Sequence, residues 1–311
     1  MPIGIVTKST GKFYEIEFDN KIVICRLRGK MRTGENNSTN PVAVGDFVDF
    51  EFEKDRRNGI IESVHERKNC MLRKSINLSR QSHIIAANID LAFLVITIKS
   101  PQTYPAFIDR FLVTCEAYKI QAVIVINKTD IYNEKEISEM ENLISIYEKI
   151  GYICLRISVK NLINLNKISE LIENKTILIS GNSGVGKSSL VNAISPELNL
   201  KTAGLTTLHD KGKHTTTFAQ MFKVGKGRLI DTPGIKGLGL VNLATNEIHH
   251  YFPEMFSILS QCRFPNCTHT HEPDCAVKKA VSNNEISESR YNSYISILTD
   301  DEDRIRTDAF R

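Results

Sequence analysis

The chain has 311 residues, 41% hydrophobic and 24% charged, ordinary values for a soluble globular protein and enough length for two or three domains with proper cores. No apolar run reaches the roughly eighteen residues of a membrane span, and Met1-Pro2-Ile3-Gly4-Ile5-Val6-Thr7-Lys8 turns polar too early for a signal peptide, which predicts a cytoplasmic protein. The formal charge of +4 is small, so contact with nucleic acid has to rest on local clusters.

Short strands are predicted over 3–6, 13–18, 21–27, 47–52 and 59–64, separated by turns such as Asp19-Asn20 and Val44-Gly45-Asp46. Five short strands in so few residues predict a small closed barrel of the oligonucleotide-binding (OB) type. Between Asp19 and Glu35 the only charges are Lys21, Arg26, Arg28, Lys30 and Arg32. The stretch after the barrel, read as a linker, adds Arg67, Lys68, Arg73, Lys74 and Arg80 with no acid before Asp90. The two patches together predict one surface that tracks a phosphate backbone; a solvated strand face with a flexible linker is the plainer alternative.

From Ile89 the pattern changes to alternating buried strands and helices. A strand over 91–98 is followed by a helix over 105–119, where Phe107, Ile108, Phe111, Leu112 and Cys115 share one face. The buried strand 122–126 then ends in Asn127-Lys128-Thr129-Asp130. A carboxylate at Asp130 accepts hydrogen bonds from N1–H and the 2-amino group of guanine, Asn127 faces the O6/N7 edge, and the Lys128 stem lies along the ring. Adenine lacks those donors and would leave a carboxylate unpaired, so the tetrapeptide points to guanine. A helix over 134–150 and a strand over 152–157 lead to Ser158-Val159-Lys160, either a loop whose backbone and Lys160 stem close on the base or an ordinary loop. A short helix over 162–173 follows.

The β-branched strand 176–180 runs into Gly181-Asn182-Ser183-Gly184-Val185-Gly186-Lys187-Ser188-Ser189, a phosphate-binding loop. Without Cβ atoms its glycines let backbone N–H groups crowd around an anion at a helix N-terminus. Lys187 reaches the β- and γ-phosphates and the Ser188 hydroxyl binds magnesium. A Gly/Thr-rich segment, 202–217, has the composition of a switch loop. One of Thr215, Thr216 and Thr217 is expected to complete the magnesium shell, Thr216 being the choice. Strands over 219–224 and 228–230 form a hairpin ending at Asp231-Thr232-Pro233-Gly234, where Asp231 holds the magnesium shell and the Gly234 N–H meets the γ-phosphate. The position after Gly234, a water-orienting glutamine in ordinary small GTPases, is Ile235 here. Hydrolysis by the isolated chain should therefore be slow. His214 is the candidate for positioning the water, an RNA-contacting or exposed histidine being the other reading.

These pieces resemble a guanine-nucleotide-binding domain of the translation-factor class with its order circularly permuted: Asn-Lys-x-Asp and Ser-x-Lys come before the phosphate loop, the threonine switch and Asp-x-x-Gly. Joined termini and a new opening in a surface loop leave a packed sheet intact. The second switch then runs straight into the C-terminal segment.

The seven cysteines fall into two groups. Cys25, Cys70, Cys115 and Cys154 are scattered, as small packing residues are. Cys262-x4-Cys267-x-His269-x5-Cys275 supplies three thiolates and one imidazole, a closed tetrahedral set for one structural zinc. His271 is the competing imidazole, with His249 and His250 further off. Helices are predicted around 254–261 and 275–281, and a tail from Asp300.

The small barrel, permuted GTPase and Cys-x4-Cys-x-His-x5-Cys module together resemble the ribosome small-subunit-dependent GTPase A family over essentially the whole chain. The expected architecture is an N-terminal OB-type β-barrel over 1–68, a central α/β P-loop GTPase domain over 69–240 and a mainly helical zinc-binding domain over 241–311. The resemblance implies GTP hydrolysis stimulated by the small ribosomal subunit during its late maturation, in a monomer off the membrane whose barrel and zinc module contact ribosomal RNA. The rival is a nucleotide-gated RNA-binding checkpoint module with incidental turnover.

Overall fold

A computed structural model of the chain describes residues 1–29, 41–53, 58–74, 82–199, 219–231 and 243–299. The first five strands, β1 (Ile3–Ser9), β2 (Tyr14–Phe18), β3 (Lys21–Leu27), β4 (Phe47–Phe52) and β5 (Asn58–Val64), pair in the order β1-β2-β3-β5-β4, and β4 closes back onto β1. Asp19 and Asn20 both take positive φ (48° and 59°), the geometry that a two-residue hairpin between twisted strands requires. Strand alternation fills the barrel: β3 points Val23 and Cys25 inward against Tyr14, Ile16, Phe50 and Ile61, and leaves Ile22, Ile24 and Arg26 outside.

The segment read as a linker is instead an antiparallel hairpin, β6 (Cys70–Lys74) with β7 (Ser82–Ala87). Its short apolar runs supply Met71 and Ala86 to a core that also takes Ile5 and Val44 from the barrel and Ile89 from the next domain. Arg67 is correspondingly no phosphate ligand. Its Nε and Nη2 donate to Asp46 Oδ1 and Oδ2, both at 2.7 Å, and Asp46 is fully buried. The strip that looked free of acids gains them from neighbouring strands: Arg26 pairs with Glu53 at 2.7 Å, Arg28 with Glu62, and Lys68 with Asp90 at 2.9 Å. Lys30, Arg32 and Arg80 lie outside the described residues.

The central domain is a sheet in the order β10 (Ile153–Arg156), β9 (Gln121–Ile126), β8 (Leu91–Ile96), β11 (Thr176–Ser180), β13 (Gly227–Asp231), β12 (Gln220–Val224), parallel except for β12. Every residue of β8 is buried because both faces are covered. Leu91, Phe93 and Val95 join the core under α3 (Leu165–Ile172) and α4 (Lys187–Ile194). Ala92, Leu94 and Ile96 join the core under α1 (Pro105–Ala117) and α2 (Glu134–Ile150). α2 is bounded by its own sequence: Asn133 Oδ1 accepts from the Glu136 N–H at 3.0 Å, Glu136 accepts from the Asn133 N–H at 2.9 Å, and Gly151 ends the helix with φ +108°. β12 also meets β1 in the register Lys8↔Gln220, so barrel and central domain share one eleven-stranded sheet.

The C-terminal region holds a 3-10 turn over Thr245–Tyr251, then α5 (Pro253–Phe256), α6 (Ala276–Ser282) and α7 (Glu288–Leu298), the last not anticipated from the sequence. α7 carries Arg290, fully buried, whose Nη1 donates to Asp109 of α1 at 2.7 Å and whose Nε donates to Glu254 at 2.7 Å. Val113 of α1 is buried in the same C-terminal core as Phe252, Tyr294 and Ile297, so α1 serves two cores.

Gly45 shows how closely barrel and hairpin meet. It sits at φ +95°, and a Cβ there would lie 2.1 Å from the Ala87 carbonyl oxygen. Gly45→Ala is expected to lower unfolding free energy by roughly 2–4 kcal/mol, from backbone strain plus overpacking, read as a shift in urea midpoint with an unchanged slope.

Candidate nucleotide and metal sites

β11 ends at Ser180 in the middle of the sheet, and the loop 181–186 turns into the N-terminus of α4. Val185 is fully buried in the core below and anchors the loop from inside. Lys187 folds back across the loop, its Nζ donating to the carbonyls of Gly181 at 2.8 Å and Asn182 at 2.9 Å. Asp231 closes β13 next door, in register with Ile179. Burial raises the Asp231 carboxyl and lowers the Lys187 ammonium, each partly offset by attraction to the other. A half-buried ammonium and a half-buried carboxylate at one loop suit an anion and a divalent cation arriving together, which is the chemistry of a magnesium nucleotide. Ser188 and Ser189 stand in the first turn of α4. His214, Thr216 and Gly234 lie outside the described residues.

The base motif follows β9 at the same sheet end. Asn127 is 2% exposed and joins three segments: its Nδ2 donates to the Val185 carbonyl of the phosphate loop at 2.9 Å, and its Oδ1 accepts from the Val159 N–H at 3.2 Å. Ser158 Oγ donates to Asp130 Oδ1 at 2.5 Å, and Thr129 Oγ1 to the Ile157 carbonyl at 3.0 Å, so the three-residue Ser-Val-Lys segment stands against the Asn-Lys-Thr-Asp tetrapeptide. Lys160 is exposed beside them. Lys128 adopts φ +63°, and its Nζ donates to the Ser100 carbonyl at 2.5 Å.

Two contributors escaped sequence reading. The Tyr132 hydroxyl accepts from the Ile98 N–H at 2.9 Å and donates to the Asn127 carbonyl at 2.6 Å, holding the motif's first residue; nothing local marks it. The Ser100-Pro101 turn accepts from Lys128 on the base side and lies close to Gly184 on the phosphate side, and its only sequence signal was the dipeptide itself.

The second site gathers Cys262, Cys267, His269 and Cys275, whose ligand atoms all lie within 4.8 Å of one another. His269 presents Nδ1, 3.7 Å from the Cys262 sulfur and 3.4 Å from the Cys275 sulfur. Burial and the neighbouring Cys275 and Cys262 push the Cys267 thiol up to about 12, so without a cation this sulfur stays protonated. A divalent ion would offset that crowding, and the closed soft donor set fits a structural metal. His271 is exposed and bonds to Thr270 at 2.9 Å. His249 stands edge-on to His269, centroids 5.0 Å apart, outside the ligand set. The loop around His269, itself at φ +62°, is held by Glu272, which accepts from Thr268 N–H at 2.8 Å, Thr268 Oγ1 at 2.6 Å and Thr270 N–H at 3.1 Å. Against the effect of burial, these bonds hold the Glu272 carboxyl down at about 2.

A phosphate loop on the central strand, with a guanine-type motif on a strand that precedes it in the chain, defines a circularly permuted P-loop GTPase. The sequence profile described as RsgA GTPase matches residues 64–241, and that of the RsgA N-terminal domain matches residues 3–61. The chain belongs to the RsgA GTPase family and is a GTP hydrolase. Among its relatives, the small ribosomal subunit biogenesis GTPase RsgA of Flavobacterium johnsoniae is 50% identical, covering 99% of this chain and 96% of the relative. The protein of the same name from Christiangramia forsetii is 48% identical over 99% of each. The crystal structure of YjeQ from Thermotoga maritima superposes with a TM-score of 0.79 at 34% identity, covering 96% of this chain and 98% of that one. The circularly permuted GTPase YloQ gives 0.75 at 32% identity, covering 98% and 96%.

Gly186 tests the join between the halves. Its φ is +98°, and a Cβ would lie 2.4 Å from Asn127 Nδ2, where it would force the amide off the Val185 carbonyl. Gly186→Ala is expected to weaken GDP binding at least tenfold, about 1.4 kcal/mol, in titration with a fluorescent GDP analogue.

Proposed function

We propose that the chain hydrolyses GTP in the service of small ribosomal subunit maturation, that turnover is stimulated by the subunit, and that it works as a cytoplasmic monomer. The observation that carries the reading is the Asn127 amide, which ties the phosphate loop to both base segments and makes one pocket of pieces in permuted order. The partner comes from relatives named for small-subunit biogenesis that match along nearly the whole chain. Among the described residues no helix is long and apolar enough to cross a membrane.

In this reading the pocket works by positioning and charge. Asp130, fixed by Ser158, takes the N1–H and 2-amino donors of guanine. Asn127 and Lys128 complete the base side, with Thr129 holding the motif to the strand end and Lys160 at the rim. The backbone from Gly181 to Gly186, with Asn182, Ser183, Gly184 and Val185 between, presents N–H groups to the phosphates; Ser189 extends the turn, and Gly234 adds an N–H at the γ-phosphate. Lys187 exchanges its two carbonyl partners for phosphate oxygens and gains on leaving them, since a charge-assisted bond to an anion is the stronger one. Ser188, Thr216 and Asp231 would hold magnesium, which supplies charge neutralisation at the phosphates. His214 orients the attacking water in place of the missing glutamine.

Cys262, Cys267, His269 and Cys275 hold one structural zinc. The three units over 1–68, 69–240 and 241–311 act together, the barrel and zinc module meeting ribosomal RNA. The half-buried, paired Arg67 and the paired Arg26, Arg28 and Lys68 leave less free positive charge there than the sequence suggested.

Turnover measured with and without purified small subunits tests the central claim: a rise of at least tenfold is expected, and no rise would refute it. In the same assay His214→Ala should lose roughly 100-fold of the stimulated rate, the low end of what a positioned proton-transfer or water-orienting group contributes. Elemental analysis should find one zinc per chain, and Cys267→Ser should lose it together with several degrees of melting temperature.

A further inference from the structure

The buried Arg290–Asp109 pair belongs to neither site, yet it stands between them. We propose that Arg290 and Asp109 couple the metal knuckle to the nucleotide pocket, so that metal and guanine nucleotide bind cooperatively. The inference rests on the assignment of those two sites given above.

The first link runs from the knuckle to α7. The Tyr291 hydroxyl donates to the His269 carbonyl and the Tyr294 hydroxyl to the Thr268 carbonyl, each at 2.7 Å, and Tyr294 is fully buried. The backbone on both sides of the peptide that carries the imidazole ligand is therefore fixed to one helix. The second link runs from α7 to α1. Arg290, adjacent to Tyr291, is fully buried, and its guanidinium meets Asp109 at 2.7 Å while Tyr147 donates to the same carboxylate oxygen at 2.6 Å. Arg290 also lies over the Phe252 ring, 4.6 Å from its centroid. A planar donor fork held on two carboxylates and a ring has one geometry available, so a shift of α7 has to be followed by α1 or break the pair.

The third link runs from α1 to the pocket. The segment 97–104 leads directly into α1 at Pro105 and is folded on itself: the Thr103 N–H donates to the Thr97 carbonyl at 3.0 Å, and Thr97 Oγ1 to the Pro101 carbonyl. This turn offers the Ser100 carbonyl to Lys128 at 2.5 Å, and Pro101 lies where a Cβ on Gly184 would be 3.4 Å from its Cδ, in ordinary contact. One short turn thus holds the base motif and stands close to the phosphate loop, to which Asn127 of that motif is tied through the Val185 carbonyl, and the helix that places the turn is the helix Arg290 grips. The steps are hydrogen bonds, one ion pair and a packed ring, joined through the backbone of α7, α1 and segment 97–104.

Linkage makes the proposal testable from both ends, because whatever factor nucleotide exerts on metal affinity, metal must exert on nucleotide affinity. In the full-length protein, saturating GDP should raise zinc affinity at least fivefold, read at equilibrium as the partition of zinc between the protein and a chromogenic chelator, the low end of ordinary site-to-site coupling. Stripping zinc should raise the Kd for GDP by a matching factor. In the double variant Asp109→Asn, Arg290→Met, both ligands should still bind and the factor should fall to one. Should that variant fail to fold, Tyr291→Phe with Tyr294→Phe cuts the connection at the knuckle end and should give the same loss. Zinc partition against the chelator indifferent to GDP in the wild-type protein, with both ligands demonstrably bound, would overturn the coupling. An undiminished factor in both double variants would overturn its assignment to this route. A protein that took up no zinc or no GDP would overturn the site assignments beneath it, a result distinct from two occupied but independent sites.

Discussion

One buried amide holds the nucleotide site together. Asn127 spends its donor on the phosphate loop and its acceptor on the Ser158–Lys160 segment, and its own backbone is gripped by Ile96 and by Tyr132. In a sheet whose strands follow one another in permuted order, chain connectivity no longer keeps the base motif beside the phosphate loop; this contact, 58 residues apart in sequence, does. An unpaired buried amide would cost about 1–3 kcal/mol, so the pocket and the fold favour the same arrangement.

Around that contact the three regions are packed into one another more deeply than beads on a string. The barrel meets the central sheet through strand pairing and through the β6–β7 hairpin, whose Met71 and Ala86 sit in a core drawn from both sides. The C-terminal module meets it through α1, which buries one face under the sheet and Val113 in the module's own core. Two ion-pair clusters stand at or beside the junctions: half-buried Arg67 with buried Asp46, next to the Gly45–Ala87 contact, and buried Arg290 with Asp109 and Glu254. Such pairs add little net stability against well-packed apolar residues, but removing one partner is costly, so they select one docking geometry over others.

What could be read from the chain, and what could not, divides along the range of the forces involved. Motifs whose chemistry lies in residues near one another in sequence were legible: the phosphate loop, the Asn-Lys-Thr-Asp tetrapeptide, the cysteine and histidine spacing, and the helix that became α2. Barrel strands were legible from alternation, and β8 from its unbroken apolar run. The β6–β7 hairpin was obscured because its apolar runs are only three or four residues long and stand beside basic ones. Arg67 read as a phosphate ligand because its partner Asp46 is 21 residues away, and the basic strip read as unopposed because Glu53, just past β4, and Glu62 of β5 arrive from elsewhere in the chain. α7 was missed for the same reason: an arginine in a weakly amphipathic stretch does not announce burial when its partner lies 181 residues upstream. His269, named from its spacing with His271 as the competitor, is the imidazole that stands among the three sulfurs.

The order of the strands bears on how the chain is made. Synthesis delivers β8, β9 and β10, the half that carries the Asn-Lys-Thr-Asp motif, before β11, the strand that belongs at the centre of the sheet and leads into the phosphate-loop motif. A nascent chain halted before residue 176 can lay down three neighbouring parallel strands with their helices, yet it has an open edge where β11 should lie and nothing to grip a phosphate. The phosphate-loop motif is thereby deferred to the second half of the sequence, and α7, which fixes the C-terminal module on α1, follows every other described element.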